Sequence, residues 1–569
     1  MYEISNKSTA MPCSCSHLAL VEILWYTDAK GGILMKATKF KLLALILAIA
    51  LLFTGCALDF RGYFKQLAAV FQPVTFENMT YSRPELDLLE DALSNCLTSA
   101  QGKNFDKLVS DLNTFNSICS RFQTNYYLSY IHYSIDTSDQ YWAEEYTYCS
   151  GVKPSIQASV DELMYALADS PMREKLESDE FFGPDYFDRY DGESHWTEEF
   201  LALMNQEAEL INQYYTLSSL SGSMDPQSET YYSTLGAQME QVYAQLVKVR
   251  QQIAAEAGFG SYAEYAYTTT YQRDYTPEQA TTLISDIRKE LVAPYSKLAK
   301  LNLWADILQS TDDDTFTYVQ TMANNMGGIV QSAFSSMENS GLYHISYGAH
   351  KVNMSFTTYL PDYQVPFVFV NPTMTTYDRL TFAHEFGHFY NYYANGGANG
   401  SVDVAEVFSQ ALELLSLFYA DGGSQMEKLK LADSLGVYIE QSFLADFEDR
   451  VYRMNPSDLT PENIRKLYKQ VATEYGLGNQ LHSSSYVNIT HLFTSPMYVI
   501  SYVVSKDAAM QFYQLEKTTS GAGLSRYEDN LASTQSSYLA FLSEAQLESP
   551  FKEGHIAAVR ELFEKALKL

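Results

Sequence analysis

The segment that decides the fold is His384-Glu385-Phe386-Gly387-His388. Residues four apart share one face of an α-helix, so the two imidazoles point the same way, at the spacing that one metal ion needs. Glu385 follows the first histidine, which places its carboxylate beside such a metal rather than on it. A carboxylate in that place can take a proton from a zinc-bound water. The segment therefore predicts a helix that binds zinc and activates water for hydrolysis.

A second helix is predicted to complete the metal site. Two imidazoles leave a catalytic zinc ion one protein ligand short, and Glu406 is the best candidate. The stretch Asn395-Gly-Gly-Ala-Asn-Gly400 ends the first helix, and Ser401 can cap the next. If that helix runs back antiparallel, Glu406 lies level with the histidines. Glu413 lies near the same face, where it can accept a hydrogen bond from a ligand imidazole or remain a solvated carboxylate.

Helical patterning extends over most of the chain after Pro84. The clearest case is a set of apolar residues that step by three and four: Leu235, Met239, Val242, Leu246, Val249 and Ile253. Two segments differ, because 354–360 and 366–370 are rich in β-branched and aromatic residues and flank a Pro-Asp turn. We therefore predict a mainly α fold with a small β-sheet directly before the metal-binding helix. An edge strand of that sheet can hold an extended peptide by backbone hydrogen bonds.

The N-terminus has the features of a bacterial lipoprotein leader. Met35 precedes three lysines, and the apolar run 42–53 is too short for a confident membrane span. Small residues precede Cys56 and resemble a lipobox, which implies cleavage before Cys56 and a lipid on its sulfur. An ordinary secretion signal or an N-terminal membrane anchor is the alternative. Because a leader belongs at the start of a chain, we predict that Met35 is the initiator and that 1–34 is a start-site artefact.

Composition excludes some classes of function. The chain has 569 residues, of which 46% are apolar, so a large core is possible. Its formal charge of −31 disfavours a nucleic-acid partner, which would need a basic face. After Cys56 only Cys96, Cys119 and Cys149 remain, far in sequence from the proposed site. A cysteine nucleophile is therefore disfavoured, while one disulfide among the three stays open.

Four stretches within about 240–510 carry a family resemblance. They are 246–275 with Gly258-Phe-Gly-Ser-Tyr-Ala-Glu-Tyr265, Pro366-Phe-Val-Phe-Val-Asn371, Phe382 to His388 with Val404 to Ser409 and Glu413, and His491 to Tyr502. In combination they resemble the thimet oligopeptidase and oligoendopeptidase F family of zinc metallopeptidases, and most of all its bacterial oligoendopeptidase F branch. The 18-residue spacing from His388 to Glu406 is shorter than in many relatives, and 343–352 lacks the expected glycine-rich pattern.

The resemblance implies a zincin-type catalytic core with a small β-sheet inside a large helical ellipsoid. A deep substrate channel splits that ellipsoid, with one zinc ion per chain at its floor. Enzymes of this kind cut short unstructured peptides and exclude folded proteins by channel width. The resemblance also assigns His491, Tyr498 and Tyr502 as hydrogen-bond donors to the substrate carbonyl and the developing oxyanion. From the residues alone, the two tyrosines would be interpreted as core aromatics.

The sequence thus predicts a membrane-tethered, extracytoplasmic zinc endopeptidase that acts on oligopeptides. One rival is a catalytically idle peptide-binding lipoprotein, which would need neither a metal nor Glu385. Another is a different zinc hydrolase, such as an aminopeptidase, which would trim peptides from their N-terminus. The predicted organisation is an artefact at 1–34, a lipoprotein signal peptide at 35–55, a tether at 56–80, an N-terminal helical subdomain at 81–340 and a zinc catalytic subdomain at 341–569.

Overall fold

The computed structural model describes residues 74–569, with gaps at 179–180, 191–196, 221–223, 226–227, 299–300, 302–308, 398–400, 532 and 534–536. Before residue 74 it describes only the short strands β1 (Tyr26–Thr27) and β2 (Ile33–Leu34), which pair antiparallel. The apolar run 42–53 and Cys56 lie outside the described residues. Within the described part of the chain, no helix combines the length and the apolar character needed to span a membrane.

The first helices enclose an apolar core of their own. Helices α1 (Leu86–Ala100), α2 (Phe105–Ile135) and α3 (Gln140–Ala168) pack against one another, and the short α4 (Arg173–Leu176) follows them. Their shared core contains Cys96 and Cys119; these two and Cys149 are free thiols and buried, so the possible disulfide is not formed. This core ends at Phe187. The predicted subdomain boundary between residues 340 and 341 stays a prediction.

The middle of the chain adds helices to a second, larger core. They are α5 (Glu198–Leu220), α6 (Glu229–Tyr231), α7 (Ala237–Glu256), α8 (Tyr262–Tyr265), α9 (Pro277–Leu298), α10 (Asp312–Met326) and α11 (Gly328–Asn339). The apolar face predicted around Leu246 is buried in α7, and its first residue, Leu235, lies in a π-helical turn just before it. The predicted helix is therefore confirmed.

The C-terminal helices complete the larger core. They are α12 (Asp378–Asn395), α13 (Val402–Tyr419), α14 (Gly423–Tyr452), α15 (Pro461–Glu474), α16 (Thr490–Thr494), α17 (Ile500–Thr518), α18 (Ala522–Leu531), α19 (Tyr538–Glu544) and α20 (His555–Leu567). Helix α13 lies among α12, α14 and α17. It is buried along nearly its whole length, so its side chains are held on all sides.

A three-stranded sheet lies directly before α12. Strands β4 (Phe356–Leu360) and β5 (Val365–Val370) pair antiparallel, and β3 (Tyr343–Ile345) pairs parallel with β5 in the order β3-β5-β4. The two predicted strands and the mainly α fold are confirmed. Strand β3 was not predicted, because its three residues are all half-buried and show no alternation between buried and exposed side chains. Pro366 is tolerated because β3 pairs only with 368–370, beyond the proline.

Candidate metal centre and active site

The two helices predicted to carry the metal ligands touch at their backbones. Gly396 ends α12 in the left-handed conformation, and the Ser401 side chain accepts a hydrogen bond from the Val404 amide at the start of α13. A Cβ atom at Gly387 would lie 2.6 Å from the Cα atom of Ser409. Any other residue at 387 would therefore push the helices apart. The close approach explains how a glycine inside a helix is compatible with a buried site.

The structure brings the three candidate ligands together. The Nε2 atom of His384 lies 3.5 Å from Oε2 of Glu406, and the Nε2 atom of His388 lies 3.8 Å from the same oxygen. One donor atom from each residue lies within 4.8 Å of the other two. These separations suit ligands that share one ion at about 2.0–2.2 Å. As predicted, the antiparallel return of α13 sets Glu406 level with the histidines.

Glu413 fixes the orientation of the first histidine. Its Oε1 atom lies 2.6 Å from Nδ1 of His384, which leaves Nε2 of that ring facing Glu406. Behind the carboxylate, the buried ammonium of Lys430 forms an ion pair with it and that of Lys506 lies 3.7 Å away. Burial alone would raise the pKa of Glu413, but these two lysines hold it well below its usual range. Glu413 therefore stays ionised against the imidazole, as expected of a carboxylate behind a metal ligand.

The electrostatics of the histidines favour a cation. Burial tends to lower the pKa of His384, but its hydrogen bond to Glu413 and the surrounding carboxylates raise it to about 9. The environment thus stabilises a positive charge at this ring, which a divalent cation on Nε2 would supply. Burial lowers the pKa of His388 to about 4, so that ring is neutral, as a ligand must be.

Glu385 is held by the edge strand of the sheet. The Thr357 hydroxyl, on β4, lies 2.8 Å from Oε2 of Glu385 and 2.9 Å from its backbone carbonyl oxygen. Burial raises the pKa of the Glu385 carboxyl to about 7 without the contribution of any bound cation. A carboxyl with a pKa near neutrality can both accept and return a proton.

The three residues predicted to bind the oxyanion make two separate sets of contacts. The Tyr498 hydroxyl donates to Oε1 of Glu406 at 2.8 Å, and Ser409 donates to the other oxygen at 3.1 Å. The Tyr502 hydroxyl lies 3.2 Å from Nε2 of His491. Tyr498 therefore positions the third candidate ligand in this structure, whereas Tyr502 and His491 pair with each other. The roles of all three toward substrate stay predictions.

Buried polar contacts hold the segment from His491 to Tyr498, which begins in α16 and is called the His491 loop below. Arg250 is fully buried and donates from Nη1 to the Leu492 carbonyl oxygen at 3.2 Å and from Nη2 to the Phe493 carbonyl oxygen. The Tyr271 hydroxyl donates to the Pro496 carbonyl oxygen at 2.8 Å. Oε1 of Glu448 accepts from the Met497 amide at 3.0 Å, and Met497 has a positive φ of 64°. These hydrogen bonds therefore fix the His491 loop along its length.

Comparisons with known proteins agree with this architecture. Residues 76–197 match the family described as the Peptidase M3 N-terminal domain. Over 88% of this chain and 99% of the other, the structure superposes on a candidate oligoendopeptidase F from Bacillus anthracis str. Ames, with a TM-score of 0.74 and 22% identity. The chain has the oligoendopeptidase F fold. The resemblance stated from the motifs is confirmed by this fold and by the matched N-terminal domain.

Other structures share the oligoendopeptidase F fold. PZ peptidase A, solved with an inhibitor, gives a TM-score of 0.77 at 20% identity over 87% of this chain and 99% of that one. The oligoendopeptidase F of Enterococcus faecium gives 0.55 at 14% identity, over 84% of this chain and 96% of its own. No curated protein sequence matches the chain significantly. The fold and the matched domain support a peptidase function.

Sequence reasoning missed several residues that support the site on the oligoendopeptidase F fold. The residues are Thr357, Lys430, Lys506, Tyr271 and Glu448. Lys506 carried a signal, because Ser505, Lys506 and Asp507 separate the apolar pair Val503-Val504 from Ala508-Ala509-Met510 on one helix. A lysine in such a place needs a buried counter-charge. The other four gave no signal, because nothing in the sequence links Thr357 to Glu385, Lys430 to Glu413, Tyr271 to Pro496 or Glu448 to Met497.

Proposed function

We propose that the chain is a zinc-dependent oligoendopeptidase that hydrolyses internal bonds of short unstructured peptides. The observation that carries the proposal is the convergence of His384, His388 and Glu406 beside the carboxylate of Glu385. Two nitrogen donors and one carboxylate match the protein ligands of catalytic zinc, which keeps an open position. The buried carboxylate behind His384 is the partner that such histidines commonly have.

In the proposed reaction, Glu385 moves the proton. When bound here, zinc supplies Lewis-acid chemistry, which lowers the pKa of water from about 15.7 to about 7. The Glu385 carboxylate takes a proton from the attacking water and hands it to the leaving amine as the peptide bond breaks. Thr357 holds this carboxylate in place, on the strand that borders the site.

The opposite side of the site supplies hydrogen bonds to the reacting carbonyl. Tyr502 and His491 lie together, and a substrate oxygen can accept from the Tyr502 hydroxyl when that hydroxyl turns away from the ring. Tyr498 reaches the same region but is bonded to Glu406. Such donors stabilise the charge that develops on the carbonyl oxygen. Among the described residues, the edge of β4 that faces away from β5 pairs with no strand, and it offers the backbone hydrogen bonds that hold an extended peptide.

Digestion of a mixed peptide library tests the proposal, with cleavage sites read by mass spectrometry. We expect internal cuts, complete loss of activity in a chelator such as 1,10-phenanthroline and recovery when zinc is added back. Metal analysis should find one zinc ion per chain. Cleavage only at N-terminal residues would favour an aminopeptidase. Peptide binding without cleavage, unaffected by the chelator, would favour the idle binding protein.

We also propose that the enzyme acts outside the cytoplasm, tethered to the membrane of a bacterial cell by a lipid on Cys56. The small residues before Cys56, which directly follow an apolar run, support this location. We expect the mature N-terminal peptide to begin at Cys56 and to carry the mass of a diacylglyceryl group. An unmodified Cys56, or a mature protein that still contains residues 1–34, would contradict the corresponding part of the proposal.

A further inference from the structure

A group of tyrosines lines the surface of the N-terminal helices next to the candidate active site. This tyrosine wall consists of Tyr126, Tyr130 and Tyr133 on α2, Tyr146 on α3 and Tyr215 on α5. The ring of Tyr146 lies 5.0 Å from that of Tyr130, 5.3 Å from that of Tyr133 and 5.9 Å from that of Tyr126. These four rings therefore form one continuous aromatic surface, and Tyr215 joins it through a side-chain hydrogen bond to Tyr146.

The tyrosine wall borders both sides of the site. The ring of Tyr130 stacks on Phe356 at 4.5 Å. Phe356 immediately precedes Thr357, which holds Glu385. On the other side, burial raises the pKa of Tyr215, and hydrogen bonding to Thr494 on the His491 loop opposes that rise. A peptide that extends from the reacting bond along either element would meet these rings.

The rings of the tyrosine wall are not fully buried. Its members are partly exposed, and Tyr215 retains 41% of its surface. Burial nevertheless raises the pKa of both Tyr130 and Tyr146 well above their usual range. Partly exposed aromatic rings that lie side by side offer a surface against which an apolar or aromatic side chain can pack.

One cation lies beside the tyrosine wall without a counter-charge. The Nζ atom of Lys153, on α3, lies 5.4 Å from the ring centroid of Tyr126. Within the described residues Lys153 forms no ion pair, in a chain whose formal charge is −31. The side chain is exposed, yet surrounding protein lowers the pKa of Lys153. An exposed ammonium that has no protein counter-charge can pair with a carboxylate of a ligand.

We propose that Lys153 and the tyrosine wall form a subsite that binds a carboxylate of the peptide substrate, with an apolar or aromatic side chain of that peptide against the rings. This inference rests on the proposed peptidase function and specifies its substrate class. The carboxylate can come from the peptide C-terminus or from an acidic side chain, since the two groups share their chemistry. The subsite would select short peptides that place a negative charge at a fixed distance from the cut.

Three quenched fluorescent peptides test the subsite on the purified protein. They share one core sequence and end in a free carboxylate, in a neutral amide, or in an amide preceded by Glu. We expect the wild-type KM to be about 5- to 10-fold lower for a carboxylate-bearing peptide than for the neutral amide, as one charge-assisted contact allows. The arm with the lower KM identifies the source of the carboxylate.

Variants of Lys153 separate this contact from a merely structural role. Lys153→Met should raise KM for the carboxylate peptide about 5- to 10-fold and leave kcat and the neutral amide unchanged. Lys153→Arg should keep the preference, because it keeps the charge. The matched control is Lys103→Met, which removes the same charge just before α2 begins, about 30 Å along that helix from Tyr126. It should change no KM value.

Equal wild-type KM values for all three peptides would overturn the subsite and leave the peptidase function intact. The subsite is equally overturned if Lys153→Met affects the neutral amide as much as the carboxylate peptide. If the protein cleaves no peptide, the proposed function fails by itself. In that case fluorescence anisotropy of the labelled peptides still decides on the subsite, because preferential binding of carboxylate peptides must disappear in Lys153→Met.

Discussion

Replacing Glu385 with Gln is expected to lower kcat by about 10²- to 10⁴-fold, the usual contribution of general acid–base catalysis. The amide has nearly the same shape but cannot take a proton from water or return one to the amine. It can still accept the hydrogen bond that Thr357 now donates to the carboxylate. Because Glu385 is not a candidate ligand, the variant should retain one zinc ion per chain. Steady-state hydrolysis of a quenched peptide and metal analysis of the same sample measure both quantities.

A suitable control makes the same chemical change far from the site. Glu440→Gln alters an exposed carboxylate on α14 that accepts a hydrogen bond from Tyr295, and an amide oxygen can accept the same bond. Its activity should stay within about twofold of the wild type, as for surface substitutions in general. A Glu385→Gln protein that binds zinc and retains full activity would overturn the proposed role of Glu385.

Replacing Arg250 with Met should lower the free energy of unfolding by about 3–5 kcal/mol, the cost of removing one partner from a buried ion pair. The guanidinium is fully buried, and its Nε atom lies 2.6 Å from Oε1 of Glu207. Its loss also leaves the carbonyl oxygens of Leu492 and Phe493 without their donor. Since these residues follow His491, we expect a lower kcat even where the variant is fully folded. Urea denaturation followed by circular dichroism gives the stability.

The matched comparison is Arg453→Met. Arg453 pairs with Asp449 one helical turn away and keeps 57% of its side chain exposed. Such exposed pairs contribute about 0–1 kcal/mol, so the loss should be small. If Arg250→Met and Arg453→Met unfold at the same urea concentration, the buried contacts of Arg250 do not contribute the expected free energy of unfolding.

The fold and the three candidate metal ligands could be predicted because the residues that indicate them lie close together in the sequence. The histidine spacing and the breaker at 395–400 define two helices, and helices joined by a short connection pack as antiparallel neighbours. This arrangement restricts Glu406 to positions near the two histidines. The strands at 356–360 and 365–370 were visible for a similar reason, since both are rich in β-branched and aromatic residues.

The contacts that support the site were not predictable because they join distant parts of the chain. Arg250 reaches the His491 loop across more than 240 positions, and Tyr271 reaches Pro496 across 225. A lone sequence carries no signal for such pairs. The hydrogen bond from Tyr498 to Glu406 depends on how α13 packs against α17, which hydrophobic periodicity does not specify. The resemblance implied a role for Tyr498 toward substrate but did not name Glu406 as its partner.

The contact at Gly387 bears on which ions the site accepts. Because α12 and α13 meet at backbone atoms there, main-chain contact fixes how closely the histidine helix and the Glu406 helix approach each other. Zinc bonds of about 2.0–2.2 Å suit a narrow gap, whereas calcium needs bonds of about 2.3–2.6 Å and more ligands. We therefore expect the close contact at Gly387 to favour a small ion over a larger one at the proposed metal site.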